Sequence, residues 1–180
     1  DLTDEGLAIY FLNRAIVFNP SAAEPHRLAV GLFLVAQNVD QALIEARLAI
    51  ERSPRLATGL LWAIHKAKAL DAASFKRVVP HPAIRTELLG WLVRAGLLSV
   101  AAPAAREILE DDPTNRAALF VLVEKAFAEK DYAGAEKSLV FLAAEAEAHG
   151  AASYWRGRIA EATRRDAVKA YREALGAQPP

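Results

Sequence analysis

The chain contains no cysteine and no methionine. Without thiols there can be no disulfide, no thiolate nucleophile, and no Cys-ligated zinc or iron–sulfur centre. The same lack leaves the compartment open, since a thiol-free chain suits the cytosol and the periplasm equally. Glycine is sparse, and its nine copies are scattered rather than gathered ahead of a Lys-Ser/Thr pair, so no phosphate-binding loop is present. Neither a His-Glu-x-x-His helix motif nor a Gly-x-Ser-x-Gly elbow occurs, and His26, His65, His81 and His149 have no second histidine at helical spacing. No sign of charge is in excess, with 22 Lys+Arg against 22 Asp+Glu. A pI near 7.1 lacks the basic footprint of bulk nucleic-acid binding. The longest apolar run, Leu28 to Ala36, is about half of the ~20 residues that a membrane span needs, so the segment predicts no direct membrane insertion.

What remains is apolar and helix-forming: hydrophobic residues make up 53% and charged residues 24%, enough for a buried core. Apolar positions recur at three- and four-residue spacing rather than alternating, which predicts helices and no strands. Eleven helices are expected, at about 3–18, 22–36, 40–52, 55–70, 72–79, 83–95, 102–111, 114–129, 132–147, 150–163 and 165–176. Asp40, Thr114 and Asp131 are the expected N-cap signals. Pro103 falls in the first turn of the 102–111 helix on this map. Glu107, Glu110, Asp111 and Asp112 read as a solvated helix end leading into Pro113, not as paired catalytic carboxylates.

The strongest pattern is a repeat. Ala8-x6-Ala15-Ile16-x3-Pro20 realigns with Ala42-x6-Ala49-Ile50-x3-Pro54, a shift of 34 residues. Small residues seven apart share one helix face and admit a close neighbour, and the proline ends the helix. Variants follow as Ala101 to Pro113, as Asp131 to Leu139, and as Ala167 to Leu175 closed by Pro179. In period and phase, with Leu89-Gly90 and Phe33 in the first helices, the chain resembles the tetratricopeptide (TPR) family of helix–turn–helix repeats.

That resemblance implies an all-α fold: a right-handed TPR-like α-solenoid of antiparallel helix pairs, about five and a half repeats in one domain. The expected units are a half repeat at 1–20, then 21–54, a degenerate 55–82, 83–113, 114–148 and 149–180. The opening helix matches the second helix of a unit. The chain is therefore expected to be cut from a longer array.

The resemblance further implies a concave groove lined by the first helices. By register its partner-binding residues are Arg27, Leu34, Leu61, His65, Lys68, Glu87, Trp91, Arg94, Phe120, Glu124, Phe127, Tyr154 and Arg158. Aromatics beside arginines have the character of interaction hot spots. Lys and Arg predominate in 65–94 and 154–172, with acids between them in 107–147, so zero net charge averages opposed blocks. None of Asn13, Asn19, Asn38 and Asn115 falls on that inner face, which argues against a clamp for a C-terminal carboxylate.

The implied function is a non-enzymatic scaffold, without cofactor or metal, that holds a protein or peptide partner in the groove. Self-association through open solenoid ends is the other implied partner. The alternatives are an accessory TPR segment of a larger bacterial envelope protein in polysaccharide synthesis or export, and a self-stacking structural spacer. The envelope reading leans towards the periplasm.

Overall fold

The computed structural model describes residues 4–143 and 149–176. Among these the chain is all-helical, with eleven α-helices and no strand. The helices are α1 (Asp4–Phe18), α2 (Glu24–Val35), α3 (Val39–Arg52), α4 (Ala57–Lys66), α5 (Ala72–Val78) and α6 (Pro82–Arg94). They continue as α7 (Leu98–Asp111), α8 (Arg116–Ala128), α9 (Tyr132–Ala143), α10 (His149–Ala162) and α11 (Val168–Gly176), with a 3-10 turn at Pro54–Leu56. Pro179 and residues 144–147 of the expected ninth helix lie outside the described residues.

One local device recurs along the chain. Among the described residues, Gln37, Lys68, Gly96, Lys130 and Arg164 are those with positive φ, between 58° and 75°. Each stands just past the end of an even-numbered helix from α2 to α10 and closes it by the same pair of backbone hydrogen bonds. After α2, Asn38 N–H donates to Phe33 O (2.8 Å) and Gln37 N–H to Leu34 O (3.2 Å). After α8, Asp131 N–H donates to Ala126 O (2.8 Å) and Lys130 N–H to Phe127 O (3.0 Å). The turns after α4, α6 and α10 repeat this with Ala69–Ile64, Leu97–Leu92 and Arg165–Ala160 as the longer bonds. This is the Schellman closure, which satisfies orphan carbonyls and reverses the chain into the next helix.

The chain divides into two compact units, 1–88 and 89–180. In the first, α2 packs on α3, α1 lies on α2, and α3 meets α4 and α5. Ala42, Ala46 and Ala49 of α3 are wholly buried with Ile50, so the small-residue face admits a close neighbour as its spacing predicts. Leu61, Ile64, Phe75, Val78 and Val79 complete this core. The matching face of α1 is different: Ala15 is exposed and Ala8 only half-buried. Asn38, not Asp40, caps α3 by accepting from Gln41 N–H (3.2 Å), while Asp40 accepts from Arg77 of α5 at 2.7 Å. The turn into α5 carries a full capping box: Asp71 accepts from Ser74 N–H and Asp71 N–H donates to Ser74 Oγ, both at 2.7 Å.

In the second unit α7 packs on α8, α8 on α9, α9 on α10 and α10 on α11. Helix α7 starts four residues earlier than its sequence predicts, which places Pro103 inside it rather than in its first turn. An interior proline costs about 3 kcal/mol. The extra turn buries Leu97, Val100 and Ala101, and a fully buried aliphatic side chain is worth about 1.5–3 kcal/mol. Burial of that face therefore outweighs the proline. Asn115, not Thr114, caps α8 by accepting from Ala118 N–H (3.1 Å). Asp131 accepts from Gly134 N–H (2.9 Å), the cap its position predicts. The core of this unit is Leu119, Val123, Ala135, Leu139, Leu142, Ala152, Trp155 and Ile159.

Candidate functional site

Helices α8 and α10 place five of the residues expected in the groove within the second unit: Phe120, Glu124 and Phe127 on α8, and Tyr154 and Arg158 on α10. Phe127 and Phe120 sit partly buried against the core, so each has one face fixed by packing. Arg158 lies near three rings, its guanidinium carbon 5.1 Å from the centroid of Phe127, 5.7 Å from Trp155 and 5.9 Å from Tyr154. Its Nη1 donates to Tyr154 Oη at 3.1 Å, one helical turn back. Cation–ring attraction and this hydrogen bond hold a long, entropy-rich side chain in one place.

The rings support one another. Phe127 meets Trp155 edge to face at 5.3 Å and Tyr132 at 5.7 Å, while Tyr154 contacts Trp155 at 6.0 Å and Tyr171 of α11 at 6.2 Å. The surroundings are partly dehydrated. Burial pushes the Glu124 carboxyl above its ordinary pKa, against the opposing charge of Arg158. Burial likewise raises Tyr171, whose hydroxyl is hydrogen-bonded to Glu161. The result is a surface of tyrosine, phenylalanine and a positioned arginine, with Glu124 beside it. It can stack on apolar or aromatic groups and offer a cation to a carboxylate or carbonyl.

The other expected residues stand elsewhere. Trp91 and Arg94 are on α6 in the second unit, the tryptophan half-buried and the arginine exposed. In the first unit Arg27 is held by Glu24 (Nε–Oε2 2.8 Å), and Glu87 is exposed. Leu61 is fully buried and Leu34 is 9% exposed, so both are core residues in this structure. Lys68 lies past the end of α4, in the left-handed position of its closing turn. His65 does have an aromatic neighbour: its ring lies 5.5 Å from Trp62, and Lys66 Nζ lies 4.7 Å from the same indole.

Trp155, Tyr171 and Trp62 take part in these clusters without appearing among the expected groove residues. Their signal in the sequence is local density, with Trp155 adjoining Tyr154 and Tyr171 lying in the last Ala-rich helix. Register alone does not pick them out, because none falls on an expected groove position.

His26 is the one histidine with a built environment. It is buried, and its Nδ1 lies 2.7 Å from Oε2 of the buried Glu45 on α3. Gln41 Nε2 donates to the other carboxylate oxygen at 2.8 Å. The His26 Nε2 has no hydrogen-bond partner among the described residues. No group of three or more His, Asp or Glu side chains among the described residues could hold a metal ion. Its role is to join α2 to α3. The side chain of His149 lies outside the described residues.

No protein-family model matches the chain, and no curated protein does.

Proposed function

We propose that the chain is a TPR-like α-solenoid segment and a non-enzymatic scaffold, and that it captures a peptide or helix of another protein through the α8–α10 surface. The repeat reading is supported by the recurrence of one turn: the left-handed residues Gln37, Lys68, Gly96, Lys130 and Arg164 close five successive first helices with the same hydrogen bonds. The observation that carries the binding reading is Arg158, placed near Phe127, Tyr154 and Trp155 while the tyrosine stays exposed. Pre-ordered aromatic and arginine side chains lose little entropy when a partner docks, which is what concentrates binding energy in such groups.

The test is affinity capture with the folded domain as bait, comparing it with the double variant Tyr154→Ala/Arg158→Ala. A partner retained by the parent and lost by the variant, at equal helicity by circular dichroism, is the expected result. Equal capture by both baits overturns the assignment of this surface.

A second reading, self-association as a structural spacer, is favoured by α1 alone. Val17 and Phe18 are 79% and 76% exposed, with Phe11 exposed on the same helix. Patches of that kind mark association surfaces. Sedimentation that shows a concentration-independent monomer rules it out.

A further inference from the structure

Residues 52–70, which include the whole of α4, hold four Lys or Arg side chains and no carboxylate. Arg52 donates from Nε and Nη1 to the carbonyls of Pro20 and Leu48. Arg55, Lys66 and Lys68 are exposed and make no ion pair among the described residues. The carboxylates of α2 and α3 do not offset them, because Glu24 pairs with Arg27, Asp40 with Arg77, Glu45 with His26 and Glu51 with Arg47. Two more carboxylates follow in the sequence of this unit: Asp71, which caps α5, and the exposed Glu87 of α6. Counting both still leaves the three free cations in excess.

These cations accompany an open aromatic face. Arg55, in the turn that leads into α4, then Gly59, Trp62 and Lys66 recur at spacings of four, three and four residues, so they form one stripe. All four are exposed, while Ala57, Leu60, Leu61 and Ile64 on the opposite side are buried. Trp62 is 44% exposed, with Lys66 over its indole. A helical side chain leans over the preceding turn, and there Gly59 has no side chain and nothing within 4 Å of its Cβ position. That flank of the indole is therefore open to a ligand. Tryptophan and arginine are the side chains that most often dominate the energy of an interface.

We infer that this face of α4 docks an extended acidic segment of a partner protein, with carboxylates on Arg55 and Lys66 and an apolar side chain against Trp62. The spacing specifies the segment. Arg55 and Lys66 are eleven residues apart, which is about 16 Å along a helix. Extended chain covers the same distance in about five residues, at about 3.3 Å each. Acidic residues five positions apart, with apolar residues between them, match both cations and the indole. A nucleic acid strand is a poorer match, because it asks for a basic groove along its backbone and this chain has no net charge. The α4 face lies in the first unit and the aromatic surface of α8 and α10 in the second, so the two sites are separate.

The experiment titrates the capped hexapeptide Glu-Glu-Leu-Leu-Glu-Glu into the full chain and follows amide and indole N–H chemical shifts. Three controls accompany it: Gln-Gln-Leu-Leu-Gln-Gln without charge, Glu-Glu-Ser-Ser-Glu-Glu without an apolar centre, and hexathymidylate. Shifts centred on residues 55–66 and the Trp62 indole are expected, with weaker binding of all three controls. Arg55→Gln/Lys66→Gln should weaken the acidic peptide about tenfold, the combined loss of two surface charge pairs. Arg106→Gln/Lys137→Gln removes as much charge from exposed positions on α7 and α9 and should leave binding unchanged. Equal binding of either control peptide overturns the proposal, as does equal or tighter binding of hexathymidylate. Shifts centred away from α4, no loss from Arg55→Gln/Lys66→Gln, an equal loss from both double variants, or no shift at millimolar peptide overturn it as well.

Discussion

His26 Nδ1 and Glu45 Oε2 lie 2.7 Å apart where α2 crosses α3, both side chains buried and Gln41 holding the far carboxylate oxygen. A buried polar pair is worth little against a well-packed apolar one, but breaking it leaves a dehydrated group without a partner.

Glu45→Ala should therefore cost about 1–3 kcal/mol in urea unfolding, more than an exposed substitution on the same helix such as Arg47→Ala. The paired change His26→Phe/Glu45→Leu should recover most of that loss. If the single and double variants are equally unstable, the polar pair is not what joins these helices.

The five closing turns give a second, graded test. Left-handed backbone costs a residue with a Cβ about 1 kcal/mol relative to glycine, and only the turn after α6 uses glycine. Lys130→Gly and Gln37→Gly should each raise stability by up to about 1 kcal/mol, and Gly96→Ala should lower it by a similar amount. No neighbour crowds the Cβ position of Gly96, so its effect reports backbone conformation alone. The two stabilising changes are in different units and should add. Thermal denaturation of the single and combined variants reads this directly.

These turns also show where sequence reading stops. Helix number, type and most ends follow from apolar spacing and from Pro20, Pro54 and Pro113. The small-residue face of α3 is legible because Ala42 and Ala49 are physically required by the close packing they permit. The turns are not legible in the same way, since Gln, Lys and Arg carry no preference for a left-handed backbone; the hydrogen-bonding demand of the helix end imposes it. Pro103 misplaces the start of α7 because a local cost about equal to one buried side chain is outweighed by packing that only the tertiary structure supplies. In the candidate site, register brings Phe127, Tyr154 and Arg158 to one surface. It misses Trp155, which packs against Phe127 of α8, and Tyr171, whose contribution depends on the close approach of α10 to α11.

That approach is set by Gly157. A Cβ there would collide with the Tyr171 ring, which lies directly over the glycine. Gly157→Ala should destabilise the second unit by about 1–3 kcal/mol through overpacking. Tyr171→Ser in the same chain should relieve much of the penalty, giving a favourable coupling in a double-mutant cycle measured by denaturant unfolding. Two additive losses would show that the tyrosine moves aside freely and that α11 is not held by this contact.

Glu124 makes the electrostatics of the aromatic surface measurable. Burial raises its carboxyl above 4.5, so the folded state holds the proton more tightly than the unfolded chain does. Stability attributable to this group is therefore greatest below its unfolded pKa and declines as pH rises through the raised value. Glu124→Gln should flatten that decline and stabilise the domain at neutral pH. Arg158→Gln should act oppositely, because the guanidinium is the charge that lowers the Glu124 pKa. Carbon-detected titration of the Glu124 carboxyl should then show its midpoint shifting upward in Arg158→Gln. A midpoint that does not respond to Arg158 would show that the two charges do not share one desolvated surface.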